Sequence, residues 1–246
     1  MNKTLISKFS FILLAALAVT FTGCNKDDND DDNDNSVGTS VIAGNKITAT
    51  VSGVGDRVVD YVRVEYYHSE NETENDYGDT EVLAEAEFKD NKFSIELPAT
   101  LRPSLLWDIA EELEIEDTDI KISNPNAKAL MIDFDAYRAD YDYRVGMFWY
   151  GNDDDDEYID MEVIYVDSDV TVTGTWKNEY GDKSFTERFN CNFKKGWNYF
   201  AQVYVGDDKD GYPIYEMSTS IPSGAKWEFI SNYYKSADAS PKRAKK

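Results

Sequence analysis

Residues 81–98 read EVLAEAEFKDNKFSIELP. Val82, Ala84, Ala86 and Phe88 face one way, and Glu81, Glu85 and Glu87 the other. A period of two belongs to a strand with one buried face. Asp90-Asn91 is a two-residue turn of the kind that takes positive φ, and Phe93, Ile95 and Leu97 return from it. Pro98 has no N–H for a ladder and ends the stretch. The stretch is a β-hairpin, and it sets the expectation of short antiparallel strands joined by polar turns.

The same period runs upstream. Ile47, Ala49 and Val51 alternate with Lys46, Thr48 and Thr50, and Val62, Val64 and Tyr66 make a second strand after the turn at 52–56. Residues 68–79 (HSENETENDYGD) form a polar loop. Downstream, Leu105, Leu106, Ile109 and Leu113 fall at helical spacing with Ser104 as cap, which predicts a helix over 104–113. A connector follows to residue 126. From Ala127 the strand period resumes for about a hundred residues. Leu130, Ile132 and Phe134 share one face, as do Val145, Met147 and Trp149, and Ile159, Met161, Val163 and Tyr165. Phe185, Phe189 and Phe193 lie on one side of a later strand, and Cys191 points inward with them as a small hydrophobe.

This spacing predicts an all-β body: one or two packed antiparallel β-sandwich units, Ig-like or jelly-roll-like, with one short helix between them. The expected divisions are a leader over 1–23, a tether over 24–39, a small β domain over 40–100, helix and connector over 101–126, a β-sandwich over 127–232 and a basic disordered tail over 233–246. The small block would be marginal alone and is expected to pack on the larger one.

Lys plus Arg is 25 against 48 Asp plus Glu, for a net charge of −23. Such a surface excludes nucleic acid, which needs a basic face. The 17 Tyr, 12 Phe and 5 Trp suit cross-strand packing better than an exposed glycan platform.

The first residues have the three parts of an export leader. Lys3 and Lys8 are positive, residues 9–21 (FSFILLAALAVTF) are apolar, and Thr22-Gly23 are small. The apolar run is shorter than the ~20 residues a spanning helix needs. Gly23-Cys24 resembles a bacterial lipobox, with Phe21 where the common pattern has Leu, Val or Ile. The following Lys26, Asp27, Asp28, Asp30 and Asp31 resemble the surface-export signal of Bacteroidetes lipoproteins. The resemblance implies lipid on Cys24 and display on the outer face of the outer membrane. The acidic run itself repels and solvates, so it serves as an extended tether. A second resemblance, over 169–174 (DVTVTG), 193–198 (FKKGWN) and 221–227 (IPSGAKW), is to an uncharacterised family of β-sandwich surface lipoproteins of Bacteroidetes. It implies a fold and no catalytic residues. With Cys24 lipidated, Cys191 has no disulfide partner.

Catalytic signals are sparse. His68 is the one histidine and sits in the polar loop, and no nucleophile elbow, nucleotide loop or zinc pattern occurs. Asp207 to Gly211 resembles an EF-hand loop only briefly. With Gly211 aligned, Gly206 takes the first ligand position and Met217 the last. Residues 152–157 add carboxylates at a hairpin tip. No metal and no cofactor is expected. Asp160 and Glu162 share a strand face about 7 Å apart, and Asp133 and Asp135 do likewise. Such pairs are the raw material of glycoside hydrolysis, but in so acidic a chain they read as solvated groups with ordinary pKa values. The expectation is a non-catalytic surface lipoprotein for binding or adhesion, partnered with the outer membrane through its lipid and with a glycan or another surface protein as candidate ligand. The alternatives are a glycan-binding accessory of a nutrient-uptake system or a carboxylate-dependent glycosidase. Exposure of Trp149, Trp176, Trp197 and Trp227 would separate the first two.

Overall fold

The computed structural model describes residues 42–67, 80–113, 119–140, 142–154, 157–180 and 183–231. The leader, Cys24, the acidic run, the loop 68–79 with His68 and the basic tail lie outside the described residues.

The body is all-β. Its first strands are β1 (Lys46–Ser52), β2 (Tyr61–Tyr67), β3 (Thr80–Lys89) and β4 (Lys92–Glu96). The hairpin of β3 and β4 sets Phe88 opposite Phe93, and Asp90 and Asn91 take φ of 51° and 57°. Both turn residues being left-handed matches the twist of the flanking strands. β1 lies antiparallel to β4 with Ile47 opposite Ile95, both fully buried.

One face assignment in this hairpin is corrected. β2 and β3 shift register between Val64 and Glu65, which pair with Ala84 and Val82. Leu83 is the extra residue of a β-bulge, and a bulge exchanges the two faces beyond it. Val82 is therefore exposed while Leu83 packs against the core.

The predicted helix over 104–113 is also corrected. The chain forms a 3-10 turn at Pro103–Leu105, then β5 (Trp107–Asp108), then α1 (Ile109–Glu112), a single helical turn. Trp107 pairs with Ala129, Asp108 with Lys128, and the Ile109 N–H donates to the Ala127 carbonyl. Pairing with an available strand outweighs a helical spacing too short to nucleate well on its own.

The remaining strands are β6 (Lys121–Ile122), β7 (Lys128–Ile132), β8 (Asp135–Arg138), β9 (Tyr143–Asp154), β10 (Glu157–Val166), β11 (Val170–Tyr180), β12 (Lys183–Phe193), β13 (Gly196–Asp207), β14 (Pro213–Ser218) and β15 (Lys226–Ser231). Where one or two packed sandwich units are expected, the ladder forms a closed seven-strand ring with further strands. The order β15-β1-β4-β3-β2-β8-β9 closes on itself, because β9 also pairs with β15. An open arm, β10-β13-β14-β12-β11-β6, leaves this ring from β9. Strands within 40–100 and within 127–232 are thus hydrogen-bonded into one path.

β9 is the junction. One edge pairs with β15 over Gly146–Gly151. The other pairs first with β8 and then, from Tyr150, with β10. β7 and β8 are almost one strand, interrupted at Asp133 and Phe134. Its first half follows β10 and its second half follows β9. The Phe148 N–H donates to the Phe134 carbonyl at 2.7 Å across this parting.

The ring is filled with aromatic side chains. Phe148 packs its ring 4.8 Å from Phe88 and 5.4 Å from Phe93, and Tyr150 stacks on Trp227 at 4.9 Å. On β9 the expected grouping of Val145, Met147 and Trp149 is divided: Phe148 on the opposite face is buried, Met147 and Trp149 are half-buried, and Val145, the extra residue of a bulge against β8, packs on the core. Both faces of β9 are apolar, so alternation alone cannot choose, and packing decides: Phe148 meets the rings of Phe88, Phe93 and Phe229. The arm also packs on the ring through its inner face, with Val163, Tyr165 and Trp197 joining the same core.

Candidate functional site

The other face of the arm is buried over Val172, Phe189, Cys191, Phe193, Phe200 and Met217, and carries rings and acids beside them. Direct strand pairing sets Tyr204, Tyr215, Glu187 and Trp176 side by side across β13, β14, β12 and β11. Phe185 lies two residues from Glu187 on the same face. The Tyr215 ring is 6.0 Å from Tyr204, 6.3 Å from Tyr158 and 6.4 Å from Phe185, and Phe185 is 6.2 Å from Trp176. All of these rings are half-buried. They meet edge to face, at 61° to 79°, so they form walls rather than a flat platform.

Glu187 is different. It retains 3% of its surface, and among the described residues its carboxyl has no hydrogen-bond or ion-pair partner. Burial alone pushes its pKa up to about 7. Its charge in turn contributes to the raised pKa of the Tyr215 hydroxyl, after burial.

A second carboxylate group lies where β7 and β8 part. Glu162 and Asp160 project from β10, and extending the β7–β10 register one step beyond Ile132 sets Asp133 opposite Glu162. Burial, then the charges of Asp160 and Asp133, hold the Glu162 carboxyl well above the usual range. Burial also raises Asp160, while Trp149 Nε1, donating to its Oδ1 at 2.6 Å, opposes the rise. Burial raises Asp133 as well, and the charge of Arg144 opposes the rise. Trp149 can lie along the strand because Gly151 has no side chain: a Cβ there would meet the indole and the Ile159 carbonyl at 2.3 Å. A shallow pocket of about 300 Å³, its open mouth included, is lined by Asp133, Trp149 and Glu162 over Phe134 and Trp227.

The expected acid pairs are therefore regrouped. Asp133 joins Asp160 and Glu162, whereas Asp135 is buried in an ion pair with Arg144 at 2.7 Å. The three grouped acids and Glu187 also correct the expectation of solvated carboxylates with ordinary pKa values. Asp208 in the EF-hand-like turn accepts from the backbone N–H groups of Asp210 and Tyr212, which holds its pKa down. Among the described residues, no three metal-ligating side chains gather to hold an ion. Residues 155 and 156 of the acidic hairpin tip lie outside the described residues, as do Lys26, Asp27, Asp28, Asp30 and Asp31.

Of the tryptophans, Trp197 and Trp227 are buried, while Trp149 and Trp176 are half-buried. Cys191 is free and buried, its thiol donating to the Met217 carbonyl and pushed up to about 12 by burial. Glu187 escaped attention in the sequence although a signal was present. It interrupts Phe185, Phe189, Cys191 and Phe193 on the apolar face of β12, a place where an acid has to be explained.

No protein-family model matches this chain, and neither the curated proteins nor the solved structures contain a match to it.

Proposed function

We propose that this chain is a non-catalytic surface lipoprotein, held to the outer membrane by lipid on Cys24, that binds its ligand on the outer face of the arm. The observation that carries the binding face is the set of half-buried rings around Glu187, an acid without a hydrogen-bond or ion-pair partner among the described residues. On the fold, ring wall and arm packing face to face support a two-layer, sandwich-like body. The anchor rests on the resemblance around Cys24 and on the acidic run behind it.

A glycoside hydrolase is the second reading, favoured by the raised carboxyls of Asp160 and Glu162 beside Trp149. A general acid needs such a raised pKa, and retaining or inverting chemistry needs two carboxyls flanking the bond. A flat sugar-binding platform has less support, because the rings meet at steep angles and Trp197 and Trp227 are buried.

The test has two arms. Replacing Asp27, Asp28, Asp30 and Asp31 by Ala should leave the protein lipidated but reduce its cleavage when intact cells are treated with protease. Unchanged cleavage would remove the surface-signal role of the acids. The purified full chain should turn over no glycoside, ester or peptide. Turnover that disappears in Glu162→Gln, with folding intact, would replace the binding reading by the glycosidase.

A further inference from the structure

We infer that Trp176, Phe185 and Tyr215, with Glu187 at their base, form a binding site for an organic ammonium group. This rests on the reading of the arm's outer face as a binding surface and names the class of ligand.

Geometry supplies the first reason. β11 and β14 flank β12, so Trp176 and Tyr215 stand on either side of Glu187, directly paired with it. Two strand spacings, about 10 Å, separate their backbones, and the proposed site holds the ammonium head between the two rings. Phe185, one side-chain step along β12, stands at 79° to both Trp176 and Tyr215 and closes a third side. Glu187 is nearly fully covered while the three rings around it are half-buried, which places its carboxyl at the base of the group. Three walls and an anionic floor would place a cation within about 6 Å of several ring faces, where ring quadrupole and carboxylate attract it together.

The second reason is what is lacking. A buried carboxyl is normally hydrogen-bonded or paired. Glu187 has neither among the described residues, although Arg188 is its chain neighbour. Arg188 is exposed on the opposite face of β12 and does not fold back. The missing partner is a group that fits an aromatic box, has positive charge, and need not donate many hydrogen bonds. A methylated or otherwise alkylated ammonium has these properties, whereas a hydrated metal ion would lose its water against the rings for one carboxylate. The pKa of about 7 supports the same view, since the carboxyl waits near neutrality for a cation to draw off its proton.

The experiment uses the full-length lipidated chain in neutral detergent at about 0.15 M salt, where diffuse attraction to the acidic surface is largely screened. Tetramethylammonium is the probe and tert-butanol its uncharged counterpart of similar shape, with binding read from the proton resonance of the probe. The expected result is saturable binding of tetramethylammonium at pH 8, at least tenfold weaker at pH 5.5, and none of tert-butanol. Glu187→Gln should weaken it at least tenfold, as should Trp176→Leu, which keeps the charge. Glu216→Gln, an exposed acid on the other face of β14, should leave it unchanged. Absence of saturable binding, equal binding of the alcohol, or no dependence on pH would overturn the inference, and these three need no variant to fold. If the probe fails but the chain remains a surface lipoprotein without turnover, only the ligand class falls. If turnover appears, the wider functional reading falls whatever the probe does.

Discussion

Trp197 Nε1 donates to the Pro98 carbonyl at 2.8 Å, joining the open arm to the end of the hairpin that β3 and β4 form. Ninety-nine positions separate the two residues, and the indole is almost wholly buried. Trp197→Phe would keep most of the ring but leave that carbonyl without its donor. The expected loss is about 2 kcal/mol, read as a lower urea midpoint at unchanged slope. An unchanged midpoint would show that water replaces the bond.

Gly151→Ala places a methyl against the Ile159 carbonyl and the Trp149 indole at once. The backbone contact cannot give way cheaply, so the substitution should cost about 1–3 kcal/mol. It should also displace the Trp149 indole from Asp160. Thermal unfolding measures the first effect, and the shift of the indole N–H resonance in the parent against the variant measures the second.

Glu187 makes stability depend on pH in a stated direction. Its folded pKa of about 7 lies above the usual carboxyl value of 4.5. Between those values the folded chain holds a proton that the unfolded chain has released, so stability falls as pH rises through this window. Asp133, Asp160 and Glu162, raised by burial, act in the same sense. Glu187→Gln should be more stable than the parent at pH 8, by at most about 3 kcal/mol, with a difference that shrinks toward pH 5. Urea unfolding at the two pH values checks this, and parallel pH profiles for parent and variant would contradict it.

The two cysteines should behave differently. Cys191 is buried and its thiol pushed up to about 12, so a thiol reagent should not label it until the chain unfolds. With Cys24 lipidated, one thiol per chain should then appear in denaturant. Cys24→Ala should abolish fatty-acid labelling of cells and leave the leader uncut, whereas equal label on variant and parent would refute the anchor.

What the sequence determines by itself is local. Alternation identified the strands because a half-buried strand must present one face to water and one to the core. The Asp90-Asn91 turn was legible because few residues accept two successive positive φ values, and Cys191 was placed inward by its phenylalanine neighbours. Partnership was not legible. A period of two says which residues share a face but not which strand lies alongside, so the closure of β9 on β15 had no local signal. The bulge at Leu83 exchanged faces within a stretch whose composition remained regular. Asp133 left Asp135 and joined Glu162 because β7 and β8 separate at Phe134, where one strand serves both ring and arm. Glu187 and its three aromatic walls come from three strands, and only the register between those strands decides that they meet.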